Sequence, residues 1–108
     1  MADAGTLARL EAVIAQRRGG DPAASYVAQL HARGLPVIAR KLGEEAVETV
    51  VAALSGSEEN VVREAADLVF HLLVLLSARD IAFAEVLEEL AHREGLGGLE
   101  EKAARESQ

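Results

Sequence analysis

Apolar residues recur at Leu7, Leu10, Val13 and Ile14, a spacing of three and four that places them on one helical face. This predicts a first helix from Thr6, as its N-cap, to about Arg18. Gly19-Gly20-Asp21-Pro22 cannot continue it and reads as a turn. A short second helix is expected from Ser25, which can cap it, to about Arg33, where Gly34 supplies the left-handed C-cap. Pro36 suits the first turn of a third helix spanning about Leu35 to Leu54. Ser55-Gly56-Ser57 ends that helix and caps a fourth, Glu58 to about Arg79. So tight a link makes the two long helices antiparallel neighbours. A last helix from about Phe83 to Arg93 follows Asp80, and no strand pattern, internal repeat or low-complexity tract appears. The expected fold is therefore all-α, an antiparallel bundle of about four to five helices occupying 1–94. Residues 95–108, glycine-rich at first and then charged, read as a mobile or weakly helical tail.

Length and charge narrow the function. One domain of 108 residues with no cysteine has neither a disulfide framework nor a thiolate metal site, so any metal must be held by oxygen or imidazole. A formal net charge of -7 and only three aromatic residues, Tyr26, Phe70 and Phe83, argue against nucleic acid as a partner. A polyanionic small molecule would need a bridging cation. The start Met1-Ala2-Asp3-Ala4 lacks the basic and apolar segments of a secretory signal, and the apolar run Leu68 to Ala78 is too short for a bilayer helix. A cytoplasmic protein away from membranes is expected.

On the third helix Lys41, Glu44, Glu45 and Glu48 fall into one narrow stripe, flanked by Ile38, Leu42, Ala46, Val47, Val50, Val51 and Leu54. Taken alone, that stripe is equally well a solubilising face. The fourth helix changes the balance. Between Ala65 and Leu76 its only polar side chains are Asp67 and His71, which with Glu64 again lie on one line. An ionised aspartate inside a helix apolar nearly all round needs a partner, because desolvation costs several kcal/mol. Lys41 and Arg63 are too few cations for the carboxylates of Glu44, Glu45, Glu48, Glu64 and Asp67. A divalent ion in an oxygen cage resolves the imbalance, with Mg2+ the expected ion and Mn2+ an alternative; a salt-bridge network is the competing reading. His71 reads as a hydrogen-bonded core residue supporting the site rather than as a ligand or base. His31 and His92 read as surface residues.

The arrangement Glu44-Glu45-x-x-Glu48 followed by Glu64-x-x-Asp67 resembles the EExxE and ExxD signature of the all-helical, MazG-like nucleotide pyrophosphohydrolases. Ser25-Tyr26-Val27-Ala28-Gln29-Leu30, Gly34-Leu35-Pro36, Lys41-Leu42-Gly43-Glu44-Glu45-Ala46 and the stretch from Ala66 to Leu76 closely resemble the phosphoribosyl-ATP pyrophosphohydrolase family. The resemblance runs from about Leu7 to Arg93. Val37 stands where the family often has lysine, and Phe70 where it often has tyrosine.

This resemblance implies hydrolysis of phosphoribosyl-ATP to phosphoribosyl-AMP and pyrophosphate, the second step toward histidine, by a Mg2+-dependent homodimer. It further implies that Glu44, Glu45, Glu48, Glu64 and Asp67 bind metal, with Glu45 a candidate base. Lys41 is either a catalytic residue that contacts phosphate or stabilises the transition state, or an i,i+4 ion-pair partner of Glu45. Ser25 is a helix cap whose segment, with Tyr26, the resemblance also places near substrate, and His71 joins this candidate substrate set. An amphipathic pair beside a helix apolar on all sides exposes more hydrophobic surface than short flanking helices cover, so a second copy is expected to complete the bundle. Two rivals stand: a pyrophosphohydrolase of ordinary or damaged deoxynucleoside triphosphates, and a noncatalytic helical dimerisation module.

Overall fold

A computed structural model describes residues 2–95 and, in the tail, 102, 103, 105 and 106. Five helices follow one another: α1 Thr6–Arg17, α2 Tyr26–Arg33, α3 Leu35–Ser55, α4 Glu58–Ala78 and α5 Phe83–Glu94. Among the described residues there is no strand, so the fold is all-α. The tail expected from 95 onward falls largely outside the described residues.

The punctuation residues act as their chemistry requires. Ser25 accepts from the Ala28 N–H at 3.2 Å and Ser57 from the Asn60 N–H at 3.2 Å, each satisfying a donor that a helix start leaves orphaned. Gly34 ends α2 and begins α3 at φ 98° and ψ 168°, which differs from the expected left-handed helical cap in being extended at positive φ, a conformation essentially reserved for glycine. The start of α1 differs from expectation. Gly5, not Thr6, is the N-cap, and the Thr6 hydroxyl instead accepts from the Asp3 N–H at 3.0 Å. Asp3 has taken the local capping role, accepting from the Gly5 N–H at 2.8 Å and from Arg9 at 3.0 Å, which draws Thr6 into the helix. α5 has no side-chain cap of its own, but the Glu11 carboxylate of α1 accepts from the Phe83 N–H at 2.7 Å, placing an anion at the positive end of α5.

The core lies where α1, α2, α3 and α4 meet. Ile14, Val27, Leu30, Ile38, Leu73 and Val74 are buried there, with Leu7, Leu10, Phe70, Leu75, Ala78 and Phe83 packed around them. α3 and α4 form a hairpin through Gly56-Ser57. The Thr49 hydroxyl reaches the Glu64 carbonyl oxygen at 3.2 Å, joining positions seven residues before Gly56 and seven after Ser57. Only His71, Leu73 and Val74 are buried in α4. The expectation of a helix enclosed on every side, with Asp67 inside it, is thus corrected: Asp67 is exposed, because α1 and α3 cover only part of the helix. Val47, Val50, Val51 and Leu54 of α3 and Val62 of α4 stand 55–82% exposed, an apolar face with no covering helix among the described residues. His31 is likewise corrected. It is half-buried, its Nε2 enclosed without a hydrogen-bond partner, and burial together with Arg18 lowers its pKa.

Candidate active site

The α3–α4 hairpin brings carboxylates from both helices together. Glu45, Glu48 and Glu64 each offer an oxygen within 4.8 Å of the others. Helical geometry makes this possible, since Glu45 and Glu48 lie three apart on α3 and Glu64 faces them across the hairpin. Beneath them the Thr49 Oγ1 sits 2.8 Å from the Glu45 carbonyl oxygen and 3.2 Å from that of Glu64, so one hydroxyl proton ties the two backbones that carry the acids. Thr49 was not singled out by the sequence reading; its signal was a lone hydroxyl one turn after Glu45.

Burial is uneven across this group. Glu45 is 6% exposed, and its Oε2 is enclosed with no hydrogen-bond partner, while its Oε1 lies 3.5 Å from the Lys41 Nζ. A buried, ionised oxygen lacking a donor is costly, and it suits a site completed by a cation. Glu48 titrates above its ordinary range because the Glu45 carboxyl hydrogen-bonds its protonated form; the Glu45 charge, burial and Glu64 push the same way. Oxygen donors of this kind match magnesium or manganese, so the residues present fit such an ion.

The remaining sequence candidates surround this cluster. Glu44 stands outside it, its carboxylate 3.9 Å from both the Arg40 Nε and the Lys41 Nζ. Asp67 is also outside the three-carboxylate group, one helical turn after Glu64. Its charge reaches Tyr26, whose phenol burial pushes up in pKa, with Glu45 and Asp67 adding to the effect and Lys41 and Arg33 opposing it. Lys41 is held protonated by Tyr26, when that phenol is ionised, and by Glu45; at neutral pH the phenol is uncharged and the carboxylate does the holding.

His71 is buried beside Tyr26. Its Nδ1 lies 2.7 Å from the Asp67 carbonyl oxygen, which can only accept, so Nδ1 carries a proton. In the neutral ring Nε2 then accepts from the Tyr26 hydroxyl at 2.9 Å. Phe70 stacks with Tyr26 at a centroid distance of 6.3 Å, which helps fix the phenol over this edge. Ser25, by capping α2, orients the turn from which Tyr26 projects. A cleft of about 440 Å³ between the helices near their turn is lined by Glu48 and Glu64 together with Val47, Val51, Ser55 and Asn60, giving the acids access to a small ligand.

Known proteins match this chain in sequence. The phosphoribosyl-ATP pyrophosphohydrolase family model covers residues 7–94. A phosphoribosyl-ATP pyrophosphatase of Novosphingobium aromaticivorans is 67% identical over 99 residues, covering 92% of each chain. That of Erythrobacter litoralis is 64% identical over 100 residues, 93% of this chain and 96% of its own. That of Zymomonas mobilis is 55% identical over 100 residues, 93% of this chain and 94% of its own. A hairpin that gathers acids from two helices, with matches across nearly the whole length, places the chain in the phosphoribosyl-ATP pyrophosphohydrolase family of hydrolases, within the all-α MazG-like superfamily.

Proposed function

We propose that this protein hydrolyses phosphoribosyl-ATP to phosphoribosyl-AMP and pyrophosphate, the second step of histidine biosynthesis, using Mg2+, with Mn2+ able to replace it. The observation that carries the reading is the convergence of Glu45, Glu48 and Glu64 within 4.8 Å, with a buried Glu45 oxygen lacking any donor. These three would hold the ion, and Asp67 and Glu44, bordering them, would be further metal ligands. Bound magnesium neutralises phosphate oxygens and the charge developing on departing pyrophosphate.

The chain's own groups supply the rest. A water oxygen bonds to one phosphorus of the α–β bridge while the bond from that phosphorus to the bridging oxygen breaks, and the bond's electron pair leaves with the phosphate that was not attacked, giving phosphoribosyl-AMP and pyrophosphate. The water proton goes to a carboxylate, for which Glu45 is the candidate because burial and fixed backbone contacts hold it in place. Lys41, between the acids and open solvent, is positioned to meet a phosphate oxygen once substrate competes with its 3.5 Å ion pair. His71 fixes Tyr26 by hydrogen bond and ring contact, and this pair forms the wall where substrate would lie.

The reading includes a homodimer whose interface covers Val47, Val50, Val51, Leu54 and Val62; their exposure supports it. No helix among the described residues is long and apolar enough to cross a membrane. The cytoplasm is the proposed compartment, since a polyphosphorylated substrate does not cross a bilayer unaided.

Pyrophosphate release from phosphoribosyl-ATP, with and without Mg2+, tests the assignment, alongside deoxynucleoside triphosphates at equal concentration. Glu64→Gln and Asp67→Asn should abolish release while helicity persists. Faster hydrolysis of deoxynucleotides would overturn the substrate, and hydrolysis of neither would overturn the enzyme reading.

A further inference from the structure

Positive charge is scarce in this chain, with 11 Lys and Arg against 18 Asp and Glu. Much of it is engaged locally: Arg9 pairs with Asp3, Arg18 with Asp80, Arg63 with Glu59 and Arg93 with Glu89. A cleft of about 260 Å³ lies where α2 meets α3. Arg33, Arg40 and Lys41 line it together with a single carboxylate, Glu44, and with Tyr26. Glu44 lies 3.9 Å from the Arg40 and Lys41 nitrogens, at the outer limit of an ion pair, and Arg33 has no carboxylate within 4.0 Å among the described residues. Lys41 is shared with Glu45 at 3.5 Å, so within the cleft Arg33 stands without a carboxylate and Arg40 is held only by the 3.9 Å contact to Glu44, in a protein of net charge -7. Guanidinium groups that are unpaired or only weakly paired and line a concavity suit a phosphate, whose oxygens match their forked donors.

The cleft adjoins the carboxylate cluster. Lys41 joins the two, its Nζ 3.5 Å from Glu45, and Tyr26, also in the cleft lining, is 2.9 Å from His71 through its hydroxyl. At about 1.5 Å of rise per residue, Arg40 stands roughly 7 Å along α3 from Glu45 and roughly 12 Å from Glu48. The triphosphate engaged by the acidic cluster is therefore one or two helical turns from the basic cleft. Phosphoribosyl-ATP carries a second phosphate, the monoester on its extra ribose, remote from the triphosphate in its covalent structure.

We propose that the cleft formed by Arg33, Arg40 and Lys41 is a phosphomonoester subsite that seats the phosphate of the phosphoribosyl arm, making Arg33 and Arg40 the residues that select phosphoribosyl-ATP over plain nucleoside triphosphates. This rests on the substrate assignment above and deepens it. Plain ATP presents only the triphosphate, leaves the cleft empty and forfeits its contacts.

The test is steady-state kinetics of the full chain at saturating Mg2+ for the parent, Arg33→Ala, Arg40→Ala and the double variant, with ATP as competitive inhibitor. Both arginines are exposed, and circular dichroism checks that helicity is kept. Each single variant should raise KM for phosphoribosyl-ATP about tenfold or more, with kcat within about threefold of the parent and the inhibition constant of ATP unmoved. Ribose 5-phosphate, titrated by NMR, should perturb the parent at α2 and α3 and not the double variant. An unmoved KM in an active parent overturns the subsite alone. A parallel loss of ATP affinity reassigns the arginines to the triphosphate and also overturns it. A parent inert toward phosphoribosyl-ATP overturns the substrate assignment, and the subsite with it.

Discussion

Replacing Glu45 by glutamine should move stability and activity in opposite directions. Glu45 is 6% exposed, with the Lys41 Nζ 3.5 Å from one oxygen and its other oxygen unpartnered. At an effective dielectric of about 20, a pair at that distance is worth at most about 5 kcal/mol, and solvent around Lys41, 38% exposed, reduces it. Glu64, within 4.8 Å, opposes with about 3.5 kcal/mol on the same scale, and Glu48 adds to the repulsion. Attraction and repulsion nearly cancel, which leaves the desolvation of Glu45, several kcal/mol for a buried ion, largely uncompensated in metal-free protein. Glutamine removes that cost but leaves an amide short of partners, a loss of about 1–3 kcal/mol. The metal-free variant is therefore expected to be as stable as the parent or up to about 1 kcal/mol more so, a Tm rise of roughly 4 °C. Magnesium should reverse the order, since an ion at 100 times its Kd stabilises the parent by about 2.7 kcal/mol and the variant by much less. Pyrophosphate release by the variant should fall by about 10²–10⁴ if Glu45 accepts the proton. Thermal denaturation in chelator and in Mg2+ reads the crossing. A variant more than about 1 kcal/mol less stable than the parent in chelator, with a parent indifferent to Mg2+, would refute the reasoning.

Other perturbations follow from the same geometry. Glu48 has its folded pKa raised above the ordinary 4.5, chiefly by the Glu45 carboxyl, so the native metal-free state holds that proton more tightly than the unfolded chain. That contribution is full below about 4.5 and lost as pH rises through the raised value; the stability of the parent relative to Glu48→Gln should fall across this window in chelator, and a flat difference would contradict it. Tyr26→Phe leaves the His71 Nε2 without its 2.9 Å partner and should cost about 1 kcal/mol, with a coupling of about 0.5–1.5 kcal/mol in a double-mutant cycle with His71→Phe; zero coupling would mean the bond contributes nothing. Arg18→Met removes a cation that donates to the Ser77 carbonyl at 2.6 Å and to Asp80 at 3.0 Å at the C-terminal end of α4. It should lower stability by about 1–2 kcal/mol in urea denaturation and leave kcat alone, and a matching loss of kcat would show that this end of the bundle reaches the site.

The helices were legible because their boundaries are written in local chemistry. Ser25, Gly34, Pro36 and Ser57 each act through their own backbone or hydroxyl within a few residues. Thr6 misled because the choice of cap depended on Asp3, which competed for the same turn. Among the site candidates, Glu45, Glu48 and Glu64 followed from helical period plus a short link, both visible in sequence. The apolar neighbours of Asp67 mark it as internal, but apolarity along a helix does not say which of its sides this chain covers. Nothing in the sequence marks Thr49, Arg33 or Arg40 as site residues, since their importance depends on what lies across the hairpin or across the α2–α3 junction. His31 looked peripheral for the same reason: the enclosure of its Nε2 is set by tertiary packing.

The single glycine between α2 and α3 has a mechanical corollary. With no spare residue at the joint, Arg33 and Tyr26 on one arm and Lys41 and Glu45 on the other are geared together; neither arm can slide or pivot without dragging its fellow. A β-carbon at Gly34 would strain this elbow even though the nearest atom to it, the Pro36 Cδ, is 3.8 Å away, because the obstacle is torsional rather than spatial. Lengthening the joint by one residue would swing the two arms out of phase, so substrate grip and acid cluster would fail as a unit while each helix survived intact.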